Sequence, residues 1–217
     1  MPMFKGVIFD LDGTLLDTIA DMSSSVNQVL AALGYPQFSC AEYKQKIGRG
    51  FRNLLERSLP EEHRTDEEIS AALKRFLEIY DQNYMNETVP YEGIPEVLNH
   101  LVEKGVKMGV NSNKRTDYTN NLIRKFFPDI EFVGVFGERA GVPKKPHPQS
   151  ALEILERMEL AANEVIYIGD SGTDIQTGKN AGMATAGVLW GFRTSAELEE
   201  NGADYILRTP QEIITLF

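Results

Sequence analysis

Short apolar runs alternate along the chain with segments in which apolar residues recur every three or four positions. Six runs read as strands: Val7–Phe9, Val106–Val110, Phe132–Phe136, Val165–Ile168, Thr185–Leu189 and Tyr205–Leu207. Most are brief, rich in β-branched or aromatic residues, and followed by polar or glycine-containing stretches. Helical spacing lies between many of them. Pro95–Lys104 opens with proline at a first helical position, stops before Gly105, and sets Val97, Leu98, Leu101 and Val102 on one stripe. Thr116–Phe126, Gln149–Met158, Asp174–Ala181 and Ala196–Asn201 read the same way. Alternation of this kind predicts an α/β fold with a Rossmann-like parallel sheet covered by helices on both faces.

The interval from 18 to 88 breaks the alternation. Ile19, Met22, Val26, Val29, Leu30 and Leu33 keep helical spacing up to Gly34. Ala41–Ile47 and Arg52–Leu59 read as shorter helices, and Asp66–Met85 aligns Ile69, Leu73, Phe76, Leu77, Tyr80 and Tyr84. No strand pattern occurs there. The expected organisation is a core domain made of 1–17 and 89–217, with an all-helical domain, 18–88, inserted after the first strand. Linkers are expected near Leu15–Thr18 and Asn86–Gly93.

Composition narrows the function classes. The chain has 217 residues, 42% hydrophobic and 25% charged, enough apolar surface to exclude wholesale disorder. No stretch approaches the ~20 apolar residues of a membrane helix. Against 22 Lys and Arg stand 32 Asp and Glu, a formal charge of −10. So acidic a chain is a poor general partner for nucleic acid or a membrane surface, and an anionic substrate would need locally built positive charge. One cysteine, Cys40, allows neither an internal disulfide nor a cysteine-based metal cluster. The segment MPMFKGVIFDLDG lacks a signal-peptide arrangement, so the expected location is cytoplasmic. The oligomeric state, monomer or homodimer, is left open.

The candidate chemistry lies just beyond the predicted strands, where parallel sheets hold phosphate ligands. Asp10-Leu11-Asp12-Gly13-Thr14 follows the first strand and Asn111-Ser112-Asn113-Lys114 the second. Lys144-Lys145-Pro146-His147-Pro148 comes after the third, and Gly169-Asp170-Ser171-Gly172-Thr173-Asp174 after the fourth. Each piece alone has an ordinary meaning. Asp12-Gly13 is a turn dipeptide, Asp170 and Asp174 suit a helix cap, and two adjacent lysines suit a solvated loop. The four in order, each after an apolar strand, form a pattern that chance does not readily produce.

A carboxylate can attack phosphorus and divide a hard hydrolysis into two easier steps. Asp10, Asp12, Asp170 and Asp174 bring four negative charges and Lys145 returns one. A hard divalent cation such as Mg2+ would offset the surplus and bridge carboxylate and phosphoryl oxygens. Two residues along from Asp10, Asp12 can reach the leaving oxygen, first as acid and then as base. The histidines, His63, His100 and His147, are scattered and read as structural or surface residues.

These residues resemble the haloacid-dehalogenase superfamily of phosphatases. DLDGTLLDT at Asp10–Thr18 fits its first motif; Ser112-Asn113, Lys145-Pro146-His147-Pro148 and GDSGTD at Gly169–Asp174 fit the other three in order. The resemblance implies that Asp10 is the nucleophile and Asp12 the general acid/base. It implies Mg2+ on the Asp10 carboxylate, the Asp12 backbone carbonyl and Asp170, with Asp174 supporting the metal's waters or Lys145. Ser112, with the Asn113 backbone, would hold the transferring phosphoryl group, and Lys145 would tie nucleophile to phosphate. Lys145 is chosen over Lys144 because it directly precedes Pro-x-Pro. The helical insert resembles the cap of the phosphoglycolate-phosphatase-like branch, with Arg49 in Ile47-Gly48-Arg49-Gly50 a candidate for a substrate carboxylate. Trp190-Gly191-Phe192-Arg193 also fits that branch. The implied activity is hydrolysis of a small-molecule phosphate ester, first 2-phosphoglycolate; the alternative is a sugar-phosphate phosphomutase using the same motifs. A phospho-accepting receiver domain shares the acidic cluster but has no helical insert after its first strand.

Overall fold

Uninterrupted runs of valine, isoleucine and phenylalanine require cover on both faces of a sheet. In the computed structural model, which describes residues 4–217, β1 (Gly6–Phe9) has that character: Val7, Ile8 and Phe9 are wholly buried. Then come β2 (Leu16–Asp17), α1 (Ile19–Ala32), α2 (Cys40–Lys44), α3 (Phe51–Glu56), α4 (Asp66–Asn83) and β3 (Val89–Pro90). The remainder alternates: α5 (Ile94–Glu103), β4 (Lys107–Arg115), α6 (Thr116–Phe126), β5 (Gly134–Glu138), α7 (Gln149–Met158) and β6 (Val165–Gly169). It ends with α8 (Gly172–Asn180), β7 (Ala184–Val188), α9 (Ser195–Glu200) and β8 (Tyr205–Leu207).

All of these strands but β2 and β3 form a six-stranded parallel sheet in the order β5-β4-β1-β6-β7-β8, with flanking helices. Ile154 and Met158 of α7 pack with Ile8, Val165 and Tyr167 of the sheet in one buried cluster. Chain order runs outward from β1 through β4 to β5 on one side and through β6 and β7 to β8 on the other. The direction reverses between β1 and β6, the kind of position where open α/β sheets leave a crevice for a ligand. Phe9 lies opposite Val110 on one neighbour and Ile168 on the other, so Asp10, Asn111 and Gly169 stand at one level across the centre of the sheet.

The second motif departs from expectation. The polar run Asn111–Lys114 is expected to follow its strand, yet β4 continues through it to Arg115, with a register irregularity against β5 between Asn111 and Arg115. All four residues are buried. Their polarity mimics a loop because hydrogen bonds and an ion pair, rather than apolar packing, engage Ser112, Asn113 and Lys114.

The chain divides into two compact units. One comprises the chain up to Leu16 and from Pro90 onward; the other is Asp17–Val89. The crossings fall in β2 and β3, which pair with each other. Within the second unit α1 and α3 pack on α4, burying Val26, Val29, Leu30, Leu54, Leu55, Ile69, Phe76 and Tyr80. Thr65 caps α4 by accepting from the Glu68 N–H at 3.2 Å, and three acidic residues follow in its first turn. No helix among the described residues is long and apolar enough to cross a membrane.

Asp21, buried on α1, joins the two ends of the helical unit. Its carboxylate accepts from the Glu87 N–H at 3.0 Å, the Thr88 N–H at 2.8 Å and the Thr88 hydroxyl at 2.7 Å. Removing it leaves buried donors unsatisfied. Asp21→Ala is expected to lower the unfolding free energy by about 2–4 kcal/mol. The measurement is the urea midpoint at constant slope; a negligible shift would mean that water replaces the carboxylate.

Candidate active site

Asp10 is the first residue past β1, and its N–H still donates to the Ile168 carbonyl at 2.9 Å, so the backbone enters the site as an extension of the sheet. The chain then turns tightly. The Leu11 carbonyl accepts from the N–H groups of Leu15 and Leu16, and the Gly13 N–H donates back to the Leu16 carbonyl at 2.9 Å. Gly13 has φ +88°, and a Cβ there would lie 2.3 Å from Asp170 Oδ2, so conformation and space both demand glycine. From the other side the segment after β7 closes on the same turn. Trp190 Nε1–H donates to the Thr14 carbonyl at 3.0 Å, and the Phe192 N–H donates to Asp170 Oδ2 at 2.7 Å. A Cβ on Gly191 would sit 2.4 Å from the Gly13 carbonyl oxygen.

Lys145 occupies the centre. Its ammonium lies 2.7 Å from Asp10 Oδ1 and 2.7 Å from Asp174 Oδ1, with the side chain 4% exposed. Asn113 fixes the backbone that delivers it: Asn113 Oδ1 accepts from the Lys145 N–H at 2.9 Å, and its amide donates to the Lys145 carbonyl at 3.3 Å. The neighbouring Lys144 instead pairs with Glu138 at 2.7 Å, partly exposed. Asp174, in the first turn of α8, has both oxygens engaged. Oδ1 holds Lys145, and Oδ2 accepts from the Ser171 N–H at 3.0 Å and its hydroxyl at 2.6 Å. Helix capping and site building are the same set of bonds here.

Ser112 is buried beside this cluster in the chain, its Oγ accepting from the Lys114 N–H at 3.1 Å. Asp12 turns to Lys114, whose ammonium lies 2.9 Å from Asp12 Oδ1. The Lys114 side chain is completely buried. Nothing in the motif pattern singles out Lys114. The available signal was its position two residues after Ser112, which on an extended strand puts both side chains on one face. Arg49 belongs to the helical unit, exposed between α2 and α3.

Ligand oxygens of Asp10, Asp170 and Asp174 lie within 4.8 Å of one another, all three residues buried. Burial, then the neighbouring Asp174 charge, pushes the Asp10 carboxyl well above its ordinary range against the pull of Lys145. Burial and Asp174 raise Asp170 to about 7. Burial opposes the Lys145 charge, but Asp10 and Asp174 hold the ammonium well above its ordinary value. Counting Lys114 with Lys145, two cations face four carboxylates, so the surplus is two negative charges. An all-oxygen donor set in this state fits a hard divalent cation. Asp10, Asp170 and Asp174 are the side chains grouped closely enough to hold one, and Asp174 also engages Lys145 and Ser171.

This surplus has a thermodynamic signature. Since folding raises the Asp170 pKa from 3.8 to about 7, the folded state binds more protons than the unfolded state in between, and stability falls as pH rises through that window. In chelator, the melting temperature is expected to drop by roughly 5 °C between pH 5 and pH 8. Mg2+ should restore more stability at pH 8 than at pH 5, because protons compete for the same oxygens. A metal-free melting temperature that rises over this range would show the carboxylates ionise without penalty.

The chain is similar to known proteins. The sequence profile of the haloacid dehalogenase-like hydrolase family matches residues 7–188. The phosphoglycolate phosphatase of Aquifex aeolicus is 33% identical over 215 residues, covering 97% of this chain and 95% of the relative. That of Vibrio parahaemolyticus is 29% identical over 215 residues, covering 97% and 94%. A crystal structure from Lactobacillus delbrueckii subsp. bulgaricus, of a protein proposed to be a phosphoglycolate phosphatase, superposes with a TM-score of 0.91 at 31% identity and 97% coverage of both chains. By profile, full-length relatives and fold alike, the chain belongs to the haloacid dehalogenase-like hydrolase family.

Proposed function

We propose that the protein is a Mg2+-dependent phosphatase that hydrolyses a small phosphomonoester, first 2-phosphoglycolate, through an aspartyl-phosphate on Asp10. The observation that carries this reading is the pinning of Asp10 Oδ1 by Lys145 in the crevice of the sheet, with Asp170 close enough to share an ion. Bound Mg2+ would offset the repulsion between carboxylate and phosphate.

The chain supplies the remaining steps. Lys145 orients Asp10 so that Oδ2 attacks phosphorus as the ester P–O bond breaks. Asp12 passes a proton to the departing alkoxide. Water then attacks the phosphorus of the aspartyl-phosphate, Asp12 takes its proton, and Asp10 leaves as carboxylate while inorganic phosphate is released. The Ser112 hydroxyl and Asn113 backbone are the proposed donors to phosphoryl oxygens. The helical unit serves as the cap, and Arg49 on it is the candidate for the substrate's carboxylate. The relatives named as phosphoglycolate phosphatases favour that substrate class.

A steady-state panel of phosphate esters with Mg2+ tests the proposal. 2-Phosphoglycolate is expected to give the highest kcat/KM, with inorganic phosphate released. Asp10→Asn is expected to lower turnover by about a thousandfold or more, as is chelation of the metal. Full activity in chelator would overturn the mechanism. Isomerisation of hexose phosphates without phosphate release would establish the mutase instead.

A further inference from the structure

Two buried lysines enter the site with carboxylate partners, and the proposed hydrolysis uses only one of them. Lys145 pairs with Asp10; Lys114 pairs with Asp12 across 102 positions of sequence, at 2.9 Å. The Lys114 side chain has no solvent exposure, and that of Asp12 is 13% exposed. Burying an ammonium is costly unless a hydrogen-bonded counter-charge accompanies it, and a methionine of similar length would fill the same space without that cost. The cation therefore calls for a reason beyond packing.

Its geometry supplies one. The Lys114 backbone is anchored on both sides: its N–H donates to Ser112 Oγ at 3.1 Å, and its carbonyl accepts from the Thr119 hydroxyl at 3.3 Å. The ammonium is thus delivered from the sheet. Asp12 sits on the tight turn after Asp10, where its carboxylate can rotate about two side-chain bonds. An acid/base must be held to a fraction of an ångström to transfer a proton efficiently. We propose that Lys114 is the positioning residue of Asp12: it grips Oδ1 and presents Oδ2 to the leaving oxygen. Each carboxylate of the Asp10-Leu11-Asp12 motif then has its own lysine, one for the nucleophile and one for the acid. This inference rests on the phosphatase reading and extends it to a residue with no assigned role.

Positioning of an acid has a signature that generic packing lacks. An alkoxide leaving group needs a proton as it departs, whereas p-nitrophenolate hardly does. kcat/KM reports the reaction through transfer of the phosphoryl group to Asp10, which isolates the acid step. Lys114→Met is expected to lower kcat/KM for 2-phosphoglycolate about 10–100-fold more than for p-nitrophenyl phosphate. Inhibition by inorganic phosphate should hardly change. In an Asp12→Asn background, adding Lys114→Met should cause no further loss on either ester, since its partner is already disabled. That double variant removes both members of the pair and strands no charge, so it remains informative if Lys114→Met alone does not fold. Equal losses on both esters, or a further loss in the Asp12→Asn background, would overturn the role. A wild type inactive on every ester would instead overturn the phosphatase reading, so the two failures are distinct.

Discussion

Three buried carboxylates with oxygens within 4.8 Å of one another are the constraint on which the rest of this core depends. Left alone, such a group lowers its energy by binding protons, and burial together with Asp174 does raise both Asp10 and Asp170. The Lys145 ammonium and the Ser171 and Phe192 donors offset part of the repulsion, and the charge that remains suits a divalent cation. Each protein group is placed by a different element. The lysine comes from the loop before α7, Ser171 from the cap of α8, and Phe192 from the segment after β7. The site is therefore a property of the assembled sheet, and no local segment could hold it.

Assembly of those elements follows from backbone register and from the absence of side chains at two points. Phe9, Val110 and Ile168 lie side by side, so Asp10, Asn111 and Gly169 stand at one level. Gly13 and Gly191 then let two loops approach the Asp170 side chain more closely than any Cβ would permit. A larger residue at either would separate Asp170 from the turn that bears Asp12. Sheet register sets the coarse position of the carboxylates to within a strand spacing, and the glycines set the final ångströms.

The sequence disclosed the fold because its cause is local and periodic. Apolar runs of β1 and β6 and the stripe of α7 carry their burial in their spacing. The acidic motifs are visible because each directly follows such a run. What stays hidden depends on distance. The Lys114–Asp12 pair joins residues with no common pattern, and the polar run Asn111–Lys114 looks like a loop because strand recognition relies on apolar residues. Trp190–Phe192 carries only a family likeness in sequence, whereas in the folded chain the Trp190 indole holds the Thr14 carbonyl and the Phe192 amide holds Asp170. Arg49 shows the converse. Its sequence context draws attention to it, but its use depends on a substrate, which neither periodicity nor the packing of its own unit determines.

Asp174 shows why the competing readings of a motif need not exclude each other. In sequence it suits a helix cap as well as a member of the site. Its Oδ2 satisfies Ser171 at the start of α8 while its Oδ1 holds Lys145, so one carboxylate does both. The capping bonds restrict the Asp174 side chain to one orientation, and that orientation fixes where the lysine must stand. Rigidity at the active centre is thereby inherited from the helix start, which the α8 packing against β6 and β7 already stabilises. A substitution at Asp174 consequently acts on stability and on the placement of Lys145 together. Ser171→Ala separates them in part, because it deletes the hydroxyl bond and keeps the Ser171 N–H that orients Asp174.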